Sequence, residues 1–336
     1  MKHLFKMLFF ILLLMSTLIT ISAMSWLTAW MGLEINLLTM MPLMKSYKNM
    51  YSTEAAVKYF IIQAIASAML LFSIIMFSNY FELSSKLYTF SSMFICSSLL
   101  LKLGAAPFHF WLPEVISGLN WKMIFIILTW QKIAPMFLLT YSMKSSIFIS
   151  IIIIISSLIG GLQGLNQICL RKIMAYSSIN HMSWMLSTLM ISLNVWFYYF
   201  IVYSIINLNI MIIFDTYKMF YLNQLSKLFS MNKKTKFFFM LNFLSLGGLP
   251  PFLGFFPKWL TINILVVNNF FVLSLLLVIF TLIPMYFYLR ITFSTFSINF
   301  QKSAIKTFNK MNFSYFILNL ISLIGLSLCL MFSSYF

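Results

Sequence analysis

The sequence contains very little charge, and the charge it has is almost all of one sign. Of its 336 residues, 62% are apolar and only 8% are charged, whereas a soluble globular domain carries about 25% charged residues. Lysine and arginine number 22 against 5 aspartates and glutamates, which gives a formal net charge of +17. Because so few charges cannot cover the surface of a soluble fold of this size, the composition predicts an integral membrane protein.

The sequence also lacks the patterns that bind common cofactors. Its three cysteines lie far apart without a C-x-x-C pair, so neither a disulfide framework nor an iron–sulfur site is expected. The ten glycines form no nucleotide-binding motif, and no spacing of His, Cys and carboxylates suggests a metal. No basic cluster is interleaved with aromatics, so nucleic acid is not an expected partner. We therefore expect no cofactor on this chain.

The amino-acid usage indicates the genetic code and the kind of genome that encode the chain. The chain has 38 Phe, 26 Met and 20 Lys but only two arginines, Arg171 and Arg290. This bias is typical of an A+T-rich code that also reads ATA as Met, and it predicts an animal mitochondrial gene. The first apolar run is full length and lacks a small-residue cleavage site, so a cleavable signal peptide is not expected.

Apolar segments of about 20 residues, the length that crosses a bilayer, recur along the chain. They predict an all-α polytopic membrane protein with about eleven transmembrane helices in a single transmembrane domain, residues 1–336. The predicted segments are 4–23, 25–44, 55–78, 87–104, 121–141, 146–166, 172–192, 195–215, 237–266, 268–291 and 313–334. The fourth and ninth segments are atypical, because Gly/Pro-rich apolar sequence runs through or beyond them.

The basic residues support this helix count. If the N-terminus faces side one, 17 of the lysines and arginines fall on side one, and only Lys86 and Lys144 fall on side two. One missed helix would scramble this asymmetry, which follows the positive-inside rule. In a mitochondrial setting side one is the matrix, so the N-terminus is predicted there and the C-terminus in the intermembrane space.

An internal repeat divides the chain. The pattern L-G-x-x-P occurs at 103–107 and again at 246–250, in the fourth and ninth segments. A repeat unit of five helices inverts the second copy, so we predict a first repeat at 1–141, an inverted second repeat at 146–291 and a C-terminal helix at 313–334. Gly/Pro-interrupted helices in matching positions of inverted repeats are typical of transport sites at mid-membrane.

Two candidate site residues lie in the second and fourth predicted segments. Glu34 lies midway along the second segment, where a carboxylate costs about 2.5–3.5 kcal/mol or more, and it is interpreted either as a proton-relay carboxylate or as a structural partner of a neighbouring helix. Lys102 precedes Pro107 and Pro113, which release backbone carbonyls from the helical ladder. Released carbonyls at membrane depth require protein or a water-filled cavity. The alternative for Lys102 is snorkelling to the interface.

Three further candidates lie in apolar sequence. Lys132 is central in the fifth segment, too deep to snorkel, and Pro135 frees the carbonyl of Gln131 beside it. Lys258 follows the second Gly/Pro-rich stretch and repeats the lysine of the first. A buried lysine exchanges its proton readily. His181 is interpreted either as a relay or as a core histidine satisfied by its neighbours.

The motifs in order resemble one family. The segments that carry this resemblance are Trp30–Asn36, Ala106–Trp111, Thr129–Lys132 and Phe252–Trp259. They are similar to the antiporter-like membrane-arm subunits of mitochondrial respiratory complex I. The resemblance runs over nearly the whole chain, is weakest in residues 1–20 and after 292, and fits the shorter animal form that lacks the N-terminal helices of bacterial relatives. The flank left by those helices would be covered by lipid or another subunit.

This resemblance implies a function. The chain would be a proton-translocating core subunit of NADH:ubiquinone oxidoreductase in the mitochondrial inner membrane, without a redox site of its own. Glu34, Lys102, Lys132, Lys258 and His181 would carry the protons. NAD, flavin, iron–sulfur clusters and ubiquinone would be bound by other subunits. The expected partners are membrane-arm subunits, including neighbouring antiporter-like ones, and lipids such as cardiolipin. The alternatives are a free-standing cation/proton secondary antiporter and a scaffold with inert buried charges.

Overall fold

A computed structural model describes residues 2–46, 49–80, 85–143, 146–225 and 233–296, together with Ile317, Asn319, Leu320 and Ser322. This part of the chain is helical throughout, apart from turns and one isolated bridge between Cys169 and Tyr221. Its helices are α1 (Lys2–Ile21), α2 (Trp26–Met44), α3 (Met50–Tyr80), α4 (Ser85–Leu103), α5 (Trp111–Gly118), α6 (Trp121–Leu128), α7 (Trp130–Ser142), α8 (Ser146–Leu165), α9 (Leu170–Leu189), α10 (Leu193–Tyr217), α11 (Lys233–Gly247), α12 (Phe255–Val267) and α13 (Phe271–Phe296).

The predicted all-α membrane class is confirmed. Within the described residues, seven helical spans are long and apolar enough to cross a membrane. Ten of the eleven predicted segments coincide with a helix or a pair of helices. The eleventh, 313–334, lies outside the described residues except for four helical positions. Lys144, residues 226–232 of the polar loop 216–236 and residues 297–312 of the polar loop 292–312 also lie outside them. The count of eleven and the inverted arrangement therefore stay predictions.

The chain forms two compact units, Met1–Ile155 and Ser156–Phe336. The first unit contains α1 to α7 and the beginning of α8. The start of α2 is fixed by a capping box, in which the Ser25 hydroxyl accepts from the Thr28 amide and the Thr28 hydroxyl accepts from the Ser25 amide. α1 packs against α2 and α7, and α3 packs against α2, α4 and α5. Large side chains along α1, such as Leu4 and Met7, are exposed, as expected for a helix facing lipid.

The first helix break lies where α4 ends, at the L-G-x-x-P motif. Gly104 has a φ of 74°, a left-handed conformation that glycine adopts without a Cβ clash. The Gly104 amide donates to the Leu101 carbonyl, and the Ala105 amide donates to the Leu100 carbonyl. This pair of bonds is a Schellman cap, which ends a helix while satisfying its last carbonyls. Pro107 follows, so the chain cannot resume α4, and α5 starts afresh at Trp111.

The second unit contains the rest of α8 and α9 to α13. α9 is the most enclosed helix described, and its serines and His181 are buried together with its apolar side chains. Close packing of α8 on α13 brings Gly164 against the ring of Phe287. The Arg290 guanidinium, on α13, donates to the carbonyls of Leu165 (2.8 Å) and Gln167 (3.0 Å) at the end of α8. A cation is favourable at the C-terminal end of a helix.

The second helix break begins with the same helix cap as the first. Gly248 has a φ of 81°, its amide donates to the Ser245 carbonyl, and the Leu249 amide donates to the Leu244 carbonyl. α11 therefore ends in a Schellman cap, and α12 begins at Phe255 after a Pro-containing turn. Before this break, the Asn242 side-chain amide on α11 donates to the Asn319 side-chain oxygen at 2.6 Å. This hydrogen bond joins Asn319, in the C-terminal segment, to α11.

Candidate functional site

Lys102 lies on the last turn of α4, immediately before the first break. The residue is 7% exposed, so it does not snorkel to the unit surface. Two carbonyls of this last turn are bound by other side chains: the Trp111 indole donates to Leu101 (3.1 Å) and the Gln63 amide donates to Lys102 (3.2 Å). Because Trp111 and Gln63 serve these carbonyls, the Lys102 ammonium is not needed to satisfy the helix end.

Lys102 and Lys132 share one cavity. The cavity has a volume of about 20 Å³ and is lined by both lysines, by the polar side chains of Asn36, Tyr59, Gln63 and Gln131, and by apolar residues of α2 and of α4 to α7. A volume of this size holds about one water molecule when several polar partners surround it. The first unit thus brings together two of the residues that the sequence analysis selected.

Lys132 is held deep in the first unit by a local irregularity. The predicted segment 121–141 is divided at Thr129 into α6 and α7. Pro135 has no amide hydrogen to donate to the Gln131 carbonyl. The Lys132 amide donates to the carbonyl of Thr129, three residues earlier, and the Thr129 hydroxyl donates to the Phe125 carbonyl at 2.6 Å. Lys132 follows this kink and is 2% exposed.

Glu34 acts on Lys102 from outside the cavity lining. It is half-buried on α2, and its charge attracts the Lys102 ammonium. No ion pair within 4.0 Å joins them, and across the described residues such pairs join Lys58 to Glu54 and to Glu114. Glu34 and Lys102 therefore interact electrostatically without a direct salt bridge.

Lys258 lies on the first turn of α12, after the second break. Its ammonium donates to the Gly247 carbonyl at 2.8 Å and approaches the Leu246 carbonyl at 3.5 Å. The side chain passes over Gly248, where a Cβ would come within 2.8 Å of the Lys258 Cδ. The ammonium also lies 5.9 Å from the ring centre of Trp184, within range of a cation–π interaction. Lys258 therefore contacts the end of α11 directly.

His181 lies in a buried aromatic and polar cluster of the second unit. Its Nδ1 is 2.9 Å from the Tyr199 hydroxyl, and its ring centre is 5.1 Å from that of Tyr203. The side chains of Asn207 and Ser178 lie near the Tyr203 hydroxyl. The sequence analysis did not select Tyr199 or Tyr203. The signal was present, because Tyr199, Tyr203 and Asn207 recur every four residues and so form a polar stripe on one face of apolar α10.

The comparisons with known proteins identify the family. A family model described as the transmembrane region of NADH:quinone oxidoreductases and Mrp antiporters matches residues 23–284. The chain belongs to this family. An NADH:quinone oxidoreductase/Mrp antiporter protein named NADH-ubiquinone oxidoreductase chain 2, from Anopheles gambiae, is 49% identical over 333 residues, covering 97% of this chain and 97% of that relative. A relative of the same name from Locusta migratoria is 44% identical over 324 residues, covering 96% and 95% of the two chains.

The fold of this NADH:quinone oxidoreductase/Mrp antiporter family member is also found in a solved structure. A chain of respiratory complex I from Thermus thermophilus superposes with a TM-score of 0.84 at 22% identity, covering 96% of this chain and 78% of that one. The resemblance to complex I membrane-arm subunits that the sequence motifs predicted is thus confirmed. The chain is a multi-pass membrane protein of this family.

Proposed function

We propose that this chain is a proton-translocating subunit in the membrane arm of NADH:ubiquinone oxidoreductase. The observation that carries the proposal is the burial of three lysines within apolar helices: Lys102, Lys132 and Lys258 are 7%, 2% and 8% exposed. Charged groups at membrane depth are costly and mark ion and proton pathways, and burial in general favours the uncharged form of an amine. The names of the relatives point to the complex in which the chain works.

Proton transfer begins between Lys102 and Lys132 in this proposal. Glu34 favours the ammonium form of Lys102, and a change of charge in a neighbouring subunit weakens that attraction. The Lys102 ammonium then gives its proton to the Lys132 amine through one water in the shared cavity. Lys102 is left as a neutral amine and Lys132 as an ammonium, so the number of protons is conserved. The cavity that both side chains line supports this step.

The later steps use the second unit. Lys132 passes its proton onward, His181 and Lys258 take it up in turn, and Lys258 releases it toward side two. The excess of lysine and arginine on side one supports a matrix location for the N-terminus and for the loop 216–236. In this orientation, protons leave the matrix and reach the intermembrane space across the mitochondrial inner membrane.

Electron transfer takes place on other subunits in this proposal. NAD, flavin, iron–sulfur clusters and ubiquinone are bound elsewhere, and this chain converts the energy they release into proton movement. Its partners are the other membrane-arm subunits, including antiporter-like neighbours. Lipid, cardiolipin among others, covers part of the exposed apolar surface of α1.

A second candidate function is a free-standing cation/proton secondary antiporter, because the family description also names Mrp antiporters. Migration of the native chain in a blue native gel separates the two candidates. A complex I subunit runs within an assembly far above 39.3 kDa, together with NADH dehydrogenase activity. A free-standing antiporter runs as the isolated chain or a small oligomer without that activity.

Replacing Lys132 with Met tests whether the chain moves protons or only supports the complex. Lys132→Met keeps the length and apolar character of the side chain, so the complex should assemble. Proton pumping and the coupled NADH:quinone reductase rate should fall by at least about tenfold, because one proton-transfer group typically contributes about 10²–10⁴-fold to a rate. The measurement is pumping by vesicles that contain the assembled complex. Lys122→Met is the matched control, because Lys122 is exposed at the start of the same span. Normal pumping by an assembled Lys132→Met complex would favour the scaffold.

A further inference from the structure

Tyr199 takes part in no step of the proton route proposed above. Tyr199 lies on the first half of α10 and is 2% exposed. Its hydroxyl lies 2.9 Å from Nδ1 of His181, which projects from α9 and is 4% exposed. The two ring centres are 6.1 Å apart. A buried histidine thus has one ring nitrogen engaged by a phenol hydroxyl.

The chemistry of the two groups fits proton exchange at the other ring nitrogen. In neutral imidazole one nitrogen donates and the other accepts, and in imidazolium both donate. A phenol oxygen can accept a hydrogen bond, so Tyr199 can accept from Nδ1–H of His181 both when the ring is neutral and when it is charged. In the neutral ring this arrangement leaves the lone pair on Nε2. The partner of one ring nitrogen determines which nitrogen carries the exchangeable proton.

We propose that Tyr199 is a positioning residue that holds Nδ1 of His181 in both protonation states, so that His181 takes up and releases its proton at Nε2. In the uptake step a donor on the proton route loses a proton and an Nε2–H bond forms, while Nδ1–H stays hydrogen-bonded to the Tyr199 oxygen and the tyrosine keeps its own proton. The reverse occurs on release. This inference rests on the proposed relay role of His181.

The aromatic ring and the hydroxyl of Tyr199 have separable effects. Tyr199→Phe keeps the ring that packs in the cluster and removes only the hydroxyl at Nδ1. Tyr203→Phe is the matched control, since Tyr203 lies one turn further along α10, is buried beside the same histidine ring, and has its hydroxyl near Asn207 and Ser178. Both variants lose one buried hydroxyl, so a purely structural effect should be similar in the two.

The test measures proton pumping by the assembled complex in vesicles, in ordinary and in deuterated water. We expect Tyr199→Phe to lower the pumping rate about tenfold, the lower end of the effect of removing a group that orients an imidazole. The solvent isotope effect should rise, because transfer through a misoriented His181 becomes rate-limiting. Tyr203→Phe should change neither quantity beyond about twofold.

A double variant distinguishes this inference from the proposed function. In a His181→Gln background, adding Tyr199→Phe should cause no further loss, because Tyr199 acts through His181. Equal effects of Tyr199→Phe and Tyr203→Phe, or a full further loss in the His181→Gln background, would overturn the inference while leaving His181 as a relay. Normal pumping by His181→Gln itself would overturn both the relay role of His181 and the role of Tyr199, and Lys132→Met would still test the wider pump.

Discussion

The two helix breaks begin with the same helix cap but differ in their lysines. At both, a glycine with positive φ ends the helix through a Schellman cap, and a proline follows three residues later. At the first break Trp111 and Gln63 bind the end carbonyls, and Lys102 faces a cavity. At the second break the Lys258 ammonium itself binds the end of α11. Lys102 therefore does not bind the helix-end carbonyls at its break, whereas Lys258 binds the end of α11 in addition to any role in proton transfer.

The positions of the lysines within the breaks also differ. When the two caps are superposed by sequence, Gly104 corresponds to Gly248 and Pro113 to Pro257, each pair 144 residues apart. In this register Lys258 corresponds to Glu114, whose carboxylate pairs with Lys58 at 3.0 Å. Lys258 is thus not the positional counterpart of Lys102. The helix that follows the first cap, α5, thus carries a negative side chain, Glu114, where the helix that follows the second cap, α12, carries the positive Lys258.

The largest expected difference between the breaks is in stability. Lys258→Met removes the charged donor from the end of α11, and a buried carbonyl left without a partner costs about 1–3 kcal/mol. Lys102→Met removes no partner from the carbonyls that Trp111 and Gln63 bind. We expect thermal inactivation of the complex at a clearly lower temperature for Lys258→Met than for Lys102→Met, although both variants should pump poorly. Equal inactivation temperatures would contradict the structural role of Lys258.

A smaller effect is expected from the two cap glycines. Gly104→Ala and Gly248→Ala each place a Cβ in the left-handed region, which costs about 1–2 kcal/mol. At Gly248 the added Cβ also displaces the Lys258 side chain, whereas at Gly104 it meets Leu112 at 3.0 Å. Assembly, measured by native gel, should fall similarly in both variants. The pumping rate per assembled complex should fall only in Gly248→Ala, and a matching fall in Gly104→Ala would mean that the breaks respond alike.

The smallest expected effect sharpens the electrostatic side of the comparison. Glu34 attracts Lys102 without a direct ion pair, so Glu34→Gln should couple to Lys102→Met in a double-mutant cycle on pumping rate by about 0.5–1.5 kcal/mol. The same cycle with Lys258→Met should show additive losses, because carbonyls rather than a carboxylate contact that lysine. Strictly additive losses with Lys102→Met would show that Glu34 and Lys102 act independently and would contradict a role for their attraction in starting proton transfer.

Much of the fold could be predicted because lipid imposes simple rules on sequence. Apolar runs near 20 residues and the distribution of lysines gave ten segments that coincide with α1 to α4 and α6 to α13 in the described residues. The short helix α5 lies between two predicted segments and was not predicted. Helix ends were less predictable: α3 runs from Met50 to Tyr80, beyond the predicted 55–78, because polar residues extend a helix out of the bilayer without an apolar signal. The motif L-G-x-x-P located both breaks, but the caps align one residue away from it, since at the second break the left-handed residue is Gly248.

The candidate site could be predicted residue by residue but not as an arrangement. Glu34, Lys102, Lys132 and Lys258 were visible because ionisable groups in apolar helices are rare. The shared cavity of Lys102 and Lys132 depends on how α2, α3, α4 and α7 pack, which no local pattern specifies. The roles of Gln63 and Trp111 depend on side chains meeting carbonyls 39 and 10 residues away. Tyr199 resembles an ordinary aromatic of an apolar helix until its hydroxyl is seen beside His181.

Arg290, which binds the last carbonyls of α8, has a consequence for the electrical behaviour of the second unit. A guanidinium keeps its proton in proteins, so Arg290 holds one positive charge through every stage of a transport cycle, whereas a lysine can be charged or neutral. The chain has 22 basic side chains, and only two of them are arginines. Arg290 therefore binds the end of α8 and also supplies a positive charge that stays constant while the lysine amines gain and lose protons.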